Sequence, residues 1–223
     1  MGSDDLFKKR KAKKTSELKR KKYCEPYKRI LIVCEGGKTE PNYFIGLRNH
    51  YRLSTANIEI AGDECGSDPK SVVKHAKKRF REENKAGNPF DEVYCVFDKD
   101  CHPNYQEAIN DIQNFRPENT FFSITSVPCF EYWLLLHFTY TTKPYLKPTS
   151  SDSSSAELIK QLKQYLPEYE KGKINVFNEL QKNLDTAIAN SKKSLEAAEN
   201  QQIDNPSTKV HILVEKLKNL NKR

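Results

Sequence analysis

The sequence lacks the paired cysteines of a disulfide framework and the long apolar run of a membrane helix. Its six cysteines form no Cys-x-x-Cys pair, and Cys95, Cys101 and His102 fit no common zinc-binding spacing. Two of the six, Cys34 and Cys95, fall inside apolar segments, so we expect reduced cysteines. No apolar run approaches the roughly 20 residues that cross a bilayer, and no apolar segment of a secretory signal follows the lysine-rich N-terminus. These absences predict a cytoplasmic protein that does not bind a membrane.

Excess charge is absent from most of the chain. Residues 1–29 contain twelve Lys or Arg and four Asp or Glu, a net charge of +8, whereas the remaining residues contain 26 of each sign. Such a basic block favours polyanions through phosphate contacts, and a solvated tail that aids solubility is the alternative interpretation. We expect residues 1–25 to form a basic, flexible arm before one domain over residues 26–223. The arm's candidate nucleic-acid contacts are Lys8, Lys9, Arg10, Lys11, Lys19, Arg20, Lys21 and Lys22.

Two short apolar segments end in carboxylates. Residues 30–34 run directly into Glu35, and residues 93–97 run into Asp98 and Asp100. Both patterns predict strands that are buried on both faces of a parallel sheet. The functional crevice of an open α/β sheet lies at the carboxyl ends of its strands, so we expect the three carboxylates to meet there. They would repel one another without a divalent cation, and Mg²⁺, or Mn²⁺ in its place, is the expected occupant.

Positively charged residues lie beside these carboxylates. Gly36 and Gly37 allow backbone N–H groups to approach a phosphate, and Lys38 adds positive charge. Lys99 lies between the two aspartates and would point away from the cation, toward a phosphate. The glycine segment is not a P-loop, because the Gly-x4-Gly-Lys-Ser/Thr frame is missing.

Two further carboxylates leave alternatives open. Glu40 lies in the first turn of a predicted helix, where it stabilises the helix N-terminus or supports the metal ligands from behind. Glu131 interrupts the apolar run of residues 129–138 and therefore needs a partner or a function. We expect it to join the acidic cluster as a ligand, and the alternative is a salt bridge or an exposed edge position. His137 is interpreted as a structural residue. His211 is either structural or an acid or phosphate contact of the site.

Periodicity and turn residues predict alternating strands and helices, hence an α/β fold with a parallel sheet flanked by helices and with additional C-terminal helices. Thr39 is the predicted cap of the first helix, Ser67 or Asp68 of the second, and Asn205 or Ser207 of the last. The predicted strands are 29–34, 57–61, 92–97 and 121–127. The predicted helices include 40–50, 129–138, 155–166, 175–199 and 206–220, and residues 139–155 form a loop.

Four motifs in this order resemble the RloB family, bacterial and archaeal proteins with a Toprim-like domain. They are EGGKTEPNYF at 35–44, FDKD at 97–100, PCFEYWLLLHF at 128–138 and NPSTKV at 205–210, and the resemblance covers about residues 25–220. By this resemblance, Glu35 corresponds to the Toprim glutamate, a general acid/base or metal ligand. Asp98 and Asp100 correspond to the pair that binds Mg²⁺.

The resemblance implies a Mg²⁺-dependent nuclease that acts as an effector of prokaryotic anti-phage defence beside an RloA-type ATPase. The catalytic and metal-binding residues are then Glu35, Asp98, Asp100 and Glu131, and the substrate is DNA or RNA, transfer RNA included. The alternative is a non-catalytic module that binds metal and nucleic acid and regulates a partner ATPase. Primase-like nucleotidyl transfer is a weaker third hypothesis, because the chain has no evident template-binding domain.

Overall fold

Strands and helices alternate through the first half of the chain, and helices dominate the second. The computed structural model describes residues 28–55, 57–62, 66, 68–99, 102–145 and 154–220. The strands are β1 (Ile30–Cys34), β2 (Ile58–Ala61), β3 (Glu92–Asp98), β4 (Phe121–Val127) and β5 (Ser207–Thr208). The helices are α1 (Thr39–His50), α2 (Pro69–Lys85), α3 (Tyr105–Gln113), α4 (Glu131–Leu135), α5 (Ser154–Leu162), α6 (Val176–Leu180), α7 (Leu184–Gln201) and α8 (Val210–Leu220), with a 3₁₀ turn at Gln181–Asn183.

The five strands form one sheet in the order β2-β1-β3-β4-β5. The first four strands are parallel to one another, and β5 pairs with the end of β4 in the antiparallel direction. The predicted parallel sheet flanked by helices is therefore confirmed. The carboxyl ends of the neighbouring strands β1 and β3 lie at the same edge of the sheet, where the candidate carboxylates follow them.

Helices cover both faces of the sheet. Ile30, Ile32 and Cys34 of β1 pack into a large core with α1 and the C-terminal helices, and Leu31 and Val33 pack into a second core with α2 and α3. This alternation follows from the two-residue period of a strand. It confirms that β1 is buried on both faces. No helix in the described part of the chain is long and apolar enough to span a membrane.

The predicted helix caps have different outcomes. Asp68 caps α2, because its side chain accepts hydrogen bonds from the backbone N–H groups of Lys70 and Ser71. The prediction for Thr39 is wrong: Lys38 holds the cap position, and the Thr39 hydroxyl instead accepts a hydrogen bond from the Gly172 N–H at 2.9 Å. Ser67 lies outside the described residues.

The predicted cap of the last helix is also wrong. Ser207 and Thr208 form β5, and α8 begins at Val210. The Ser126 and Thr208 hydroxyls lie 3.0 Å apart, which ties β5 to β4. The side chain of Asn205 exchanges two hydrogen bonds with the backbone of Tyr145, at 3.1 and 2.8 Å, so it holds a loop instead of a helix end.

Two of the predicted helices are shorter than expected. Helix α4 covers only Glu131–Leu135 of the predicted residues 129–138, although the following residues as far as His137 are still buried. The predicted helix at 175–199 is divided into α6 and α7 by the 3₁₀ turn. Apolar periodicity does not mark either break: Leu136 is still buried beyond α4, and Leu180 and Leu184, four positions apart, are buried on the two sides of the 3₁₀ turn.

Candidate active site

The ends of β1 and β3 bring two of the predicted site residues together. Glu35 follows β1, and Asp98 is the last residue of β3. The Glu35 carboxylate accepts a hydrogen bond from the Asp98 backbone N–H at 2.9 Å, and the Glu35 N–H donates to the Val96 carbonyl at 2.8 Å. The β1–β3 pairing therefore continues into the acidic residues and fixes their relative positions.

Glu131 approaches the same edge from the start of α4. The backbone N–H of the preceding residue, Phe130, donates to the Asp98 carboxylate at 3.0 Å. Glu131 is only 2% exposed. Its carboxylate accepts a hydrogen bond from the Tyr169 hydroxyl at 3.2 Å and lies 3.4 Å from the Lys171 ammonium. The buried Glu131 thus has both a neutral and a charged partner.

A fourth carboxylate, Glu40 in the first turn of α1, interacts electrostatically with these residues. Burial is the main cause that raises the pKa of Glu40 to about 8, and the negative charges of Glu131 and Glu35 add to it. Burial also raises the pKa of Asp98 well above its ordinary value, with further contributions from Glu40, Glu131 and Glu35. We call these four residues, Glu35, Glu40, Asp98 and Glu131, the acidic cluster. Glu40 lies in the first turn of α1 and also interacts with the predicted metal ligands, so both alternatives left open for it agree with the structure.

Three members of the acidic cluster, Glu35, Glu40 and Asp98, line a cleft of about 430 Å³, whereas the buried Glu131 is not part of its lining. Gly36 at the turn after β1 has a φ of +71°, a conformation that glycine adopts without strain. The His102 ring nitrogen lies 3.1 Å from the Glu35 carboxylate. The cleft is lined by Glu35, Gly36, Gly37, Lys38, Thr39, Glu40, Asp98, His102, Lys171 and Gly172. Carboxylates and positively charged side chains therefore share one opening, a combination that suits a cation together with a phosphate.

The chemistry of these donors fits Mg²⁺ or Mn²⁺. Carboxylate oxygens are the hard ligands that such ions take. A cation would relieve the repulsion that, in addition to burial, raises the pKa values of Glu40 and Asp98. Among the described residues, no three His, Cys, Asp or Glu side chains are grouped tightly enough to hold an ion. The carboxylates of Glu35, Asp98 and Glu131 accept hydrogen bonds from neighbouring protein groups. Asp100, the remaining predicted ligand, lies outside the described residues.

The predicted phosphate contacts have separate locations. Lys38 lines the cleft. Lys99 does not, because its ammonium pairs with Asp204 and lies 5.8 Å from the centre of the Tyr105 ring. Its role as a phosphate contact stays a prediction. All eight basic residues named in the arm lie outside the described residues.

One segment of the site gave no signal in the sequence. Residues 169–172, which we call the strap, lie between α5 and α6 in the chain and contact the start of α1. The Gly172 carbonyl accepts a hydrogen bond from the Asn42 side chain at 3.0 Å, in addition to the bond from its N–H to Thr39. Gly172 has a φ of +81°, and a Cβ atom there would stand 2.9 Å from Cβ of Lys38. The contacts between Glu131 and the strap join residues about forty positions apart, which no local pattern could predict.

His137 and His211, the second of which the sequence leaves open between a structural and a site role, have buried partners and do not line the cleft. The His137 ring nitrogen lies 3.1 Å from the Trp133 carbonyl, and burial lowers the pKa of His137 to about 4. His211 lies 2.7 Å from the Ser191 hydroxyl and joins α8 to α7. His102, by contrast, contacts Glu35 in the cleft. The sequence marked it only in a rejected zinc hypothesis.

Comparison with known proteins places the chain in a family. The family description that matches is RloB-like protein, and the match covers residues 30–217. No curated protein and no solved structure matches the chain. The matched range contains the whole acidic cluster, the strap and all five strands. The chain belongs to the RloB-like protein family.

Proposed function

We propose that this protein is a nuclease that hydrolyses phosphodiester bonds with the help of Mg²⁺ or Mn²⁺. One observation carries the proposal: the carboxylates of Glu35, Glu40 and Asp98 line one open cleft at the ends of β1 and β3, where burial and mutual repulsion raise the pKa values of Asp98 and Glu40. Strongly perturbed carboxylates in a cleft are typical of functional sites. A structural carboxylate such as Glu92 is instead paired with cations that lower its pKa.

We propose that Glu35, Asp98, Asp100 and Glu131 hold the metal and that Glu40 supports them from α1. When bound, a divalent cation polarises the phosphoryl group, neutralises developing charge and lowers the pKa of water. The chain's own contribution is to fix the carboxylates. The Asp98 N–H and the His102 ring hold Glu35, and the Phe130 N–H holds Asp98.

Glu35 also fits the role of a base that orients or deprotonates the attacking water. Its carboxylate lines the cleft, so it can meet a substrate there. Lys38, an exposed residue on the rim of the cleft, is positioned to contact a phosphate of the polymer.

We propose a nucleic-acid polymer as the substrate, either DNA or RNA such as transfer RNA. The basic N-terminal arm would hold the polymer through its phosphates, because its positive charge is concentrated in residues 1–29. The family resemblance supports a role as an effector of anti-phage defence in the cytoplasm, with an RloA-type ATPase as partner. This cellular role is argued from resemblance, whereas the chemistry is argued from the site.

The proposal is tested by incubating the purified protein with separate DNA and transfer-RNA substrates, with Mg²⁺, with Mn²⁺ or with a chelator. We expect cleavage that depends on the metal and falls by roughly a thousandfold or more in Glu35→Gln and Asp98→Asn. Glu118→Gln is the matched control, because Glu118 is 71% exposed and pairs only with Arg116 on the surface. Full activity in both site variants would show that the assignment is wrong.

The alternative is a non-catalytic module that binds metal and nucleic acid and regulates a partner ATPase. One contact favours it: the Glu131 carboxylate is already engaged by Lys171 and Tyr169. Binding of nucleic acid without cleavage, alone and together with the ATPase, would support this alternative over the nuclease. Incorporation of nucleotides in the same assay would instead indicate primase-like chemistry.

A further inference from the structure

Lys171 brings a positive charge of the protein itself to the acidic cluster. Its ammonium lies 3.4 Å from the Glu131 carboxylate. Lys171 also lines the cleft beside Glu35 and Asp98. A lysine side chain is charged at neutral pH, so the protein places a cation of its own where a metal ion is proposed to bind.

An ammonium and a divalent cation cannot share this position without cost. The same oxygen of Glu131 faces both the Lys171 ammonium and the Tyr169 hydroxyl. Two like charges on one carboxylate oxygen would repel each other strongly in a partly buried site. The neutral Tyr169 hydroxyl carries no such penalty, and it can continue to donate to Glu131 when a cation is bound.

The strap allows the side chain of Lys171 to leave while its backbone stays in place. The Lys171 side chain is 56% exposed, so it can turn toward the solvent. The neighbouring Gly172 is fixed to Thr39 and Asn42 by two hydrogen bonds, and Tyr169 is fully buried. Rotation of one long side chain is therefore enough to release Glu131.

We infer that Lys171 is the resident counter-ion of the acidic cluster and that a divalent cation displaces it from Glu131. Lys171 then stabilises the metal-free protein and weakens metal binding by competition. The inference rests on the proposed function, since it requires that a cation binds among these carboxylates. It makes Lys171 a positioning residue that holds Glu131 until the cation arrives.

The test is a calorimetric titration of Mg²⁺ into the full-length wild-type protein, Lys171→Gln and Lys173→Gln. All titrations use one buffer at one pH, so that the proteins differ only in the substituted side chain. We expect Lys171→Gln to bind Mg²⁺ roughly fivefold more tightly, since the ion no longer breaks an ion pair. Lys173→Gln is the control: it removes a charge two positions away that pairs with Glu179, so its affinity should match the wild type.

A second variant separates charge from packing. Lys171→Arg keeps the positive charge, so its Mg²⁺ affinity should stay near that of the wild type. Equal or weaker Mg²⁺ binding by Lys171→Gln, or equally tightened binding by Lys171→Arg, would overturn the inference while leaving the nuclease proposal intact. An absence of Mg²⁺ binding to every variant and to the wild type would overturn both. These outcomes are read from binding alone and do not depend on cleavage.

Discussion

The carboxylates at the two ends of strand β3 have pKa values shifted in opposite directions. Glu92 at the start of the strand accepts hydrogen bonds from Lys28, Lys216 and Tyr94 at 2.7, 2.8 and 2.9 Å. Burial acts to raise the pKa of Glu92, but these partners outweigh burial and the net shift is downward. Asp98, six residues later, lies among three other carboxylates, and its pKa is raised.

We interpret Glu92 as a carboxylate that stabilises the fold and Asp98 as one that serves the proposed site. Lys28 precedes β1 and Lys216 lies in α8, so Glu92 joins three distant segments of the chain. Within the described residues, Asp98 accepts one backbone hydrogen bond, from Phe130, and three other carboxylates add repulsion. Natural proteins accept such unfavourable interactions mainly at functional sites, because a ligand relieves them. The comparison predicts different consequences when each charge is removed.

The largest expected effect follows from Asp98→Asn, which should remove activity without removing stability. An amide oxygen can still accept the hydrogen bond from Phe130, while the repulsion from Glu35, Glu40 and Glu131 disappears. We expect the thousandfold loss of cleavage stated above, together with an unfolding free energy in chelator that is equal to the wild type or higher. Urea unfolding measures the second quantity. A clear loss of stability would show that Asp98 is a structural residue like Glu92.

The opposite result is expected for Glu92→Gln. The variant keeps the shape of the side chain but leaves Lys28 and Lys216 without their anionic partner. We expect a loss of about 2 kcal/mol in unfolding free energy, less than for a fully buried pair because both lysines are partly exposed. Cleavage at a temperature where the variant is folded should match the wild type. Lost cleavage in the folded variant would contradict the division between the two ends.

Much of this architecture could be predicted from the sequence because its signals are local. Five consecutive apolar residues followed by Glu35 indicated both β1 and the position of its carboxylate. The parallel arrangement then brought Glu35 and Asp98 together, as expected from the rule for open sheets. The cap at Asp68 also followed from local chemistry.

The remaining features depend on contacts between distant segments. Two residues are enough for β5 only because β4 offers an edge, so the sequence at 207–208 resembled a helix start. Threonine is a residue type common at helix caps, but the Thr39 hydroxyl accepts a hydrogen bond from Gly172 of the strap. Lys171 meets Glu131 forty positions away, and Glu40 joins the cluster because α1 packs beside it. Such contacts are set by tertiary packing, which overrides local preference.

A smaller effect is expected in the pH dependence of stability without metal. The folded pKa of Glu40, about 8, lies above its ordinary value of 4.5, so the folded state holds a proton that the unfolded state has lost. Stability from this group is therefore complete below pH 4.5 and is lost as pH rises toward 8. Asp98 acts in the same direction. We expect the unfolding free energy to fall by about 1–2 kcal/mol on the alkaline side of this window.

The measurement is urea unfolding in chelator across the window, with Glu40→Gln as the comparison. His137 acts oppositely between pH 4 and 6.5, because its lowered pKa makes stability rise with pH there. The range from pH 6.5 to 8 therefore isolates the acidic cluster. The slope should flatten in Glu40→Gln and on addition of Mg²⁺ to the wild type. If the slope of unfolding free energy against pH is unchanged in both cases, the acidic cluster does not destabilise the fold, and the contrast drawn between Asp98 and Glu92 is wrong.

The smallest expected effect concerns the strap. It compares a neutral hydrogen bond, between Thr39 and Gly172, with the ion pairs of Glu92. Thr39→Val keeps the shape of the side chain and removes the acceptor for the Gly172 N–H, so we expect a loss of about 1 kcal/mol. Thr39→Ser keeps the hydroxyl and should retain most of the stability. A neutral hydrogen bond is barely screened, so the loss should be the same in low and high salt, whereas the loss in Glu92→Gln should shrink as salt weakens its partly exposed ion pairs. If both losses respond to salt alike, the strap is held by the charges around Lys171 and not by the hydrogen bond to Thr39.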